Sequence, residues 1–432
     1  MINQPLIAAA QAARNAGRCL AFSPIEQRNE ALSAIRSALL RRRDDIFSAN
    51  QADMDAAQNL DAPIRKRLSF GEQKLAEVAA GIDSLISLPD PLGHTQLSTE
   101  LAPGLELYRV SCPIGVVGVI FESRPDALVQ IATLCLKSGN AALLKGGSEA
   151  QHTNAALYEA ILEGSREAGL PEGWLGMMQT RQEVSEMLQM DEWIDLIIPR
   201  GSNAFVRYIM DHSSIPVLGH ADGLCHVYVD ASADIPLAVR VSVDAKAQYV
   251  SVCNACETLL VHQDIAPAFL PALKPVMEQA GVRLKGCPRT CAIIGIEPAS
   301  DADWDAEYLD YVLSIRVVDT LDEAITFINR HGSGHTDAIM TQDQQAASRF
   351  LNEVDSAGCY LNCSTRFADG FRYGFGAEVG VSTGKVHARG PMGLEGLTIY
   401  KYKLLGSGQT VGDFASGKAA FTHRPLDRDC PL

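Results

Sequence analysis

The chain has 432 residues, a formal net charge of −15, and 47% hydrophobic against 21% charged residues. So acidic a surface repels phosphodiester backbones, which argues against nucleic-acid binding, and this balance belongs to a folded protein of two or three domains rather than a disordered one. No apolar run reaches the roughly 18–20 residues of a membrane span, and no basic region leads into an apolar leader at the N-terminus. A cytoplasmic location is therefore expected, where eleven cysteines are free, buried or catalytic rather than paired.

The first hundred residues read as helices. Ser23-Pro24-Ile25-Glu26 has the form of a capping box with proline at the first helical position. Behind it, Ala31, Leu32, Ile35, Leu39 and Leu40 share one helical face, and Arg41, Arg42 and Arg43 read as a solvated stretch. Between 87 and 112, Pro and Gly punctuate short alternating segments such as Leu105 to Val110, the signal of a hairpin or arm.

From 113 a βα rhythm sets in. Strands are predicted at 115–121, 141–145, 175–179 and 195–199, with helices at 126–137 and 150–168 between them. After 222 the rhythm resumes, with strands at 225–229, 258–262, 292–296, 313–318 and 338–340. Helices are predicted at 235–248, 265–280, 321–331 and 343–353. Such alternation implies an α/β protein with doubly wound parallel sheets.

The usual dinucleotide fingerprint, G-x-G-x-x-G between strand and helix, is absent. Gly374-Phe375-Gly376 and Gly406-Ser407-Gly408 have the wrong spacing, and the P-loop-like stretch from Gly412 to Ala419 lacks the hydroxyl that holds magnesium. Two other glycine turns follow predicted strands: Lys145-Gly146-Gly147-Ser148 and Pro199-Arg200-Gly201-Ser202. Each alone is an ordinary βα turn. As a pair on one sheet edge, with nearby cations, they suit a phosphate-bearing nucleotide.

Cys253 and Cys256 form a C-x-x-C, and Cys287 with Cys291 offers a second pair for a four-thiolate zinc site. The regular patterning around them argues against zinc and against a redox C-x-x-C, and leaves a choice between inert packing and one catalytic thiol on a loop between helix and strand. His331 and His335 lie four apart, but Gly332 and Gly334 mark a helix end rather than a metal pair. The loop from Ser364 through Thr365 and Arg366 to Asp369 is either solvated or a recognition site for an amino acid, with Asp for an ammonium and Arg for a carboxylate.

Several blocks carry a resemblance: PIGVVGVIFESRPDALVQIATLCLKSGNAALLKGG (113–147), IIPRGSN (197–203), CHVYVD (225–230), CNACETLLVH (253–262), STRFADG (364–370) and HARGPMGLEGLTIYKY (387–402). With these the chain resembles, nearly end to end, the gamma-glutamyl phosphate reductases, or glutamate-5-semialdehyde dehydrogenases, of the aldehyde dehydrogenase superfamily. The resemblance implies reduction of L-glutamyl 5-phosphate by NADPH to L-glutamate 5-semialdehyde, with release of phosphate, in proline biosynthesis. It implies Cys253 as the nucleophile, whose thioester takes the hydride. It places Lys145 at the adenosine ribose or its 2′-phosphate, Gly201 and Ser202 at the pyrophosphate, and Glu307 at the nicotinamide ribose. Gly146, Gly147, Ser148 and Arg200 complete the expected cofactor set. Arg124, Ser364, Thr365, Arg366 and Asp369 form the expected substrate set. No resident metal is expected.

Two departures from common aldehyde dehydrogenases stand out. The segment Gly219 to Cys225 lacks their general-base glutamate, and Glu122-Ser123-Arg124-Pro125 replaces a Trp-Asn pair that supplies an oxyanion-hole asparagine. A reductive enzyme is served by both losses, because activated water would hydrolyse its thioester. The expected architecture is aldehyde dehydrogenase-like. Residues 1–86 and 113–222 form the cofactor domain, 223–385 the catalytic domain, and 87–112 with 386–432 an oligomerisation arm. A homo-oligomer is expected, and a glutamate 5-kinase is a possible partner. The alternative is another acylating or oxidising aldehyde dehydrogenase for a small substrate.

Overall fold

In the computed structural model, residues 4–60, 62–122, 124–178, 181–220, 222–375 and 378–432 are described. The N-terminal region is helical to Ser87, in five segments: Gln4–Leu20, Ile25–Arg41, Arg43–Ala56, Ala62–Leu68 and Glu72–Ser87. The expected capping box does not form. Pro24 occupies the N-cap without a side-chain bond, and the Ser23 hydroxyl donates to the Leu20 carbonyl at 2.7 Å. Ala31, Leu32, Ile35 and Leu39 are fully buried, whereas Leu40 is turned outward. This helix packs so closely on Gln151–Glu167 that a side chain at Gly164 would meet the Ile35 backbone at 2.5 Å.

Strands are numbered in chain order. β1 (Thr95–Ala102) and β2 (Leu105–Pro113) form the expected hairpin. β3 (Val116–Phe121), β4 (Ala141–Lys145), β5 (Leu175–Met178) and β6 (Leu196–Arg200) form a parallel sheet in the order β5-β4-β3-β6. Gln179, at the end of the predicted strand 175–179, lies outside the described residues. The strands of this sheet read as near-continuous apolar runs because helices cover both faces. Val117, Val119, Ala142 and Leu144 pack into a core shared with the helices Ile25–Arg41 and Pro125–Lys137.

A second, seven-stranded sheet holds β7 (Cys225–Val229), β8 (Cys256–His262), β9 (Arg283–Gly286), β10 (Glu297–Pro298), β11 (Val312–Val318), β12 (Thr336–Met340) and β13 (Gly358–Leu361). Its order is β10-β9-β11-β8-β7-β12-β13, with every pairing parallel. It has its own core, centred on Val227, Leu259, Leu260 and Ile315. The predicted strand at 292–296 is instead the end of the helix Pro288–Ile294. A short apolar run does not separate strand from buried helix, and Pro288 at the first helical turn decides it.

β14 (Gly380–Ser382) pairs with β15 (Gly390–Met392), and β16 (Thr398–Leu405) and β17 (Arg424–Pro425) complete the set. β16 and β17 flank the hairpin in an antiparallel sheet ordered β16-β2-β1-β17. The chain leaves the second core before residue 385: Val379, Met392, Leu394 and Leu397 all pack in the first. The segment 379–397 thus closes over the seam between the two α/β units.

Candidate active site

Strand order alone places the first half of a site. From β3 the chain crosses to β4 on one side and later returns to β6 on the other. The crevice of an open α/β sheet forms where the connections diverge, outside the carboxyl ends of the two strands. Phe121, Glu122 and Arg124 leave β3 there, and Arg200, Gly201 and Ser202 leave β6. All six line one cleft of about 1450 Å³.

The second half comes from the other sheet, at its amino ends. β8, β7 and β12 are neighbours. Cys253 lies three residues before β8, Gly223 two before β7 and His335 one before β12. Side chains distant in sequence therefore meet at one edge. A sulfur of Cys253 and a ring nitrogen of each of His220 and His335 lie within 4.8 Å of one another. Gly223 lets this happen, since an added Cβ would stand 2.3 Å from the Cys253 carbonyl oxygen and 2.4 Å from its Cα.

The two imidazoles are held differently. His220 Nδ1 lies 2.8 Å from the Val381 carbonyl of β14. A carbonyl only accepts, so Nδ1 carries the proton and the neutral ring leaves Nε2 bare. Burial pushes the His220 pKa below its ordinary value, outweighing the Val381 bond and adding to the effect of Arg200. His335 is wholly buried; its Nδ1 lies 2.9 Å from the Thr336 hydroxyl, and its Nε2 has no hydrogen-bond partner. The sequence reading missed both histidines. It scanned 219–225 only for a glutamate, and it took His335 as a helix end. Ala221 in that stretch lies outside the described residues.

The thiols separate clearly. All eleven cysteines are free. Cys256 is buried, and burial pushes its thiol up to about 12, which removes it as a redox partner. Burial likewise raises Cys225, whose sulfur donates to the Cys253 carbonyl at 3.2 Å. Among the described residues, Cys253, Cys256, Cys287 and Cys291 do not converge into a ligand cluster. His331 pairs instead with Asp305 at 2.7 Å, and among the described residues it does not join His335 in a ligand cluster.

The predicted substrate loop divides. Arg366 lines the cleft with its Nε on Gln248 Oε1 at 3.0 Å, and burial together with the charge of Arg372 lowers its pKa. Ser364 and Thr365 do not line the cleft. The Ser364 hydroxyl accepts from the Arg366 N–H, and the Thr365 hydroxyl donates to the Asn254 carbonyl at 2.7 Å. Asn254 Nδ2 in turn donates to the Ala368 carbonyl at 2.8 Å, so the loop and the Cys253 turn are stitched together. Asp369 reaches the cleft, but its carboxylate accepts from the N–H groups of Phe371 and Arg372. Arg124 lines the cleft with no ion pair among the described residues; burial in the wall and the charge of Arg200 both lower its pKa.

The cofactor set divides too. Arg200, Gly201, Ser202 and Glu307 line the cleft. Gly201 precedes the helix Asn203–His212, and the Ser202 N–H that was expected to face a pyrophosphate instead donates to Glu122 at 3.0 Å. Glu307 accepts from Asn203 Nδ2, which fixes it at the same helix start. Lys145, Gly146, Gly147 and Ser148 do not line the cleft. Lys145 Nζ donates to the Gly146 carbonyl, and a Cβ at Gly146 would displace the Asn154 amide, whose Nδ2 it would meet at 2.2 Å. These four lie one strand further out, at the end of β4, which pairs with β3.

The aldehyde dehydrogenase family model matches residues 3–289 and 298–401. The gamma-glutamyl phosphate reductase of Pelotomaculum thermopropionicum is 60% identical over 422 residues, 97% of each chain. That of Acetivibrio thermocellus is 58% identical over 415 residues, 96% of each. The crystal structure of gamma-glutamyl phosphate reductase from Thermotoga maritima superposes with a TM-score of 0.92 at 39% identity, covering 94% of this chain and 99% of that one.

Proposed function

The chain belongs to the gamma-glutamyl phosphate reductases of the aldehyde dehydrogenase family, and from that premise we propose how its residues carry the reaction. The substrate is L-glutamyl 5-phosphate and the product L-glutamate 5-semialdehyde, with phosphate released, in proline biosynthesis. The observation that carries this reading is the position of Cys253. Its thiol stands at the seam of two α/β units, in a cleft that also presents Arg124, Arg200 and Arg366. An acidic protein has gathered its cations where two anionic ligands must enter.

The Cys253 thiolate attacks the acyl carbon, and the phosphate leaves with the bonding electrons, giving a thioester. Arg124, just after β3 and with no ion pair among the described residues, receives the phosphate as a planar donor. Backbone N–H groups beside Cys253 stabilise each tetrahedral oxyanion, a contribution of about 3–4 kcal/mol for one donor. Arg366 anchors the amino-acid carboxylate. When bound, a nicotinamide cofactor, the family's reductant and here NADPH, supplies the hydride. Arg200, Gly201, Ser202 and Glu307 fit its ribose and phosphates, and Glu122 must leave the Ser202 N–H to admit it. Lys145, at the end of the neighbouring strand, serves the outer, adenosine end. Collapse of the adduct releases aldehyde and restores the thiolate.

No glutamate from 219 to 225 activates water against the thioester, which suits reduction. Exposed Ile399, Tyr400, Tyr402 and Leu404 on β16 suit a homo-oligomer built through the arm. No described helix is long and apolar enough to cross a membrane, and we place the enzyme in the cytoplasm. Its acyl phosphate is labile, so a glutamate 5-kinase close at hand is the natural supplier. The test is NADP⁺ reduction with the semialdehyde and phosphate. Activity in the parent and none in Cys253→Ala, with cofactor binding retained, supports the reading; turnover by Cys253→Ala refutes it.

A further inference from the structure

The Cys253–His220–His335 cluster does more than surround a nucleophile. Both imidazoles have one nitrogen engaged, His220 by the Val381 carbonyl and His335 by Thr336. This is the posture of metal-ligating histidines, in which an outer partner fixes the ring and leaves the other nitrogen free. His335 is 0% exposed and its Nε2 has no partner, so a buried lone pair or N–H is left aimed into the protein without compensation. The three donor atoms already lie within 4.8 Å of one another. Tetrahedral zinc with bonds of about 2.0–2.3 Å sets its ligands about 3.3–3.6 Å apart, so closure takes a movement on the order of 1 Å by side chains. The donor set, one thiolate and two imidazoles, is that of zinc and its neighbours rather than of magnesium or calcium. Cys253 and His220 line the cleft while His335 closes the cluster from the buried side, so water or substrate has access from the cleft alone. Around it stand Glu307 and Glu378, which favour a cation beside His220, and Arg200 and Arg366, which oppose one.

We propose that Cys253, His220 and His335 form a binding site for a thiophilic divalent cation of the zinc class, and that its occupation reversibly shuts the enzyme. The cation takes the thiolate lone pair that would attack the substrate, displacing the thiol proton to solvent. Removal by a chelator returns the free thiol with no change in oxidation state. The inhibitory half of this inference rests on Cys253 being the nucleophile; the binding half does not.

The experiment uses the full chain, freed of metal by a chelator, and titrates it with cobalt(II) chloride and then zinc chloride. The expected result is one cobalt per chain, with a thiolate-to-cobalt charge-transfer band in the near ultraviolet, displaced by zinc. The band is lost in Cys253→Ser, and affinity falls at least about 10–100-fold in His335→Gln and in His220→Gln. Zinc inhibition follows the same occupancy and is reversed by chelator. For the contingency that a histidine variant fails to fold, the parent is alkylated with iodoacetamide and Cys253 is read by mass spectrometry. Zinc at stoichiometric concentration must protect Cys253, and magnesium must not. No band, parent-like affinity in folded histidine variants, or no protection overturns the proposal. Activity retained by Cys253→Ser while the band is lost would instead overturn the nucleophile reading and leave the metal site standing.

Discussion

Gly223→Ala separates catalysis from folding at this site. The new methyl would stand 2.3 Å from the Cys253 carbonyl oxygen, 2.4 Å from its Cα and 2.6 Å from its Cβ. Two of these atoms are backbone, so no rotamer relieves the contact. Restoring ordinary spacing of 3.4 Å or more requires the Cys253 turn to retreat by about 1 Å. The turn is tied to the 364–368 loop through Asn254, so it carries the nucleophile out of register with Arg124 and Arg366 as it moves. A misplacement of that size costs on the order of 100-fold in rate, about 2.7 kcal/mol of transition-state stabilisation. Overpacking costs about 1–3 kcal/mol in stability, well short of unfolding a chain with two separate cores. The assay is kcat/KM for NADP⁺ reduction with semialdehyde and phosphate, beside a thermal melt. Gly219→Ala is the control in the same connection, because its Cβ would meet Pro199 at an ordinary 3.4–3.9 Å. Parent-level kcat/KM in Gly223→Ala, with an unchanged melt, would refute the argument that this close approach positions the thiol.

Thr365→Val removes the donor to the Asn254 carbonyl and leaves it buried; a loss of about 1–3 kcal/mol in urea unfolding is expected, with kcat falling through the displaced Cys253 turn. Arg124→Met is expected to raise KM for the phosphate co-substrate by about 10–100-fold in the oxidative assay, the value of a charge-assisted bond, and an unchanged phosphate KM would remove Arg124 from the site. Lys246 and Glu257 form a wholly buried ion pair at 2.6 Å, and Lys246→Met is expected to cost about 3–5 kcal/mol, largely regained in Lys246→Met/Glu257→Gln; equal stability of the single and double variants would contradict this. Burial raises the Glu257 carboxyl from 4.5 to about 7 against the pull of Lys246. The native state then holds its proton longer than the unfolded chain does, so its contribution is full below about 4.5 and is lost as pH rises towards 7. Followed by urea unfolding across that window, the parent should lose stability relative to Glu257→Gln as pH rises, and a parent that gains stability relative to the variant would contradict the sign.

Much of the fold is legible in the chain. Apolar runs such as Ala141–Lys145 and Cys225–Val229 end where sequence patterning ends them, because strands buried on both faces must be continuously apolar. Amphipathic helices such as Leu321–His331 follow the 3.6-residue period of their buried face. The misplaced strand at 292–296 and the unformed box at Ser23 are local ambiguities in which a proline's fixed backbone decided the outcome. Cys253 was singled out by the resemblance and its loop position, and its side chain does line the cleft.

What the linear chain does not carry is strand order. His335 meets Cys253 only because β12 and β8 flank β7, an arrangement set by how two sheets bury their faces rather than by any spacing along the sequence. The same holds for Val381, whose carbonyl fixes the tautomer of His220 across 161 residues. It also holds for Glu122, which fills the helix terminus that the glycine turn at Gly201 advertised for a phosphate. Local propensity and patterning are short-range properties and can be read residue by residue. The protonation, partnership and reach of a side chain are settled by neighbours that only the packed structure supplies.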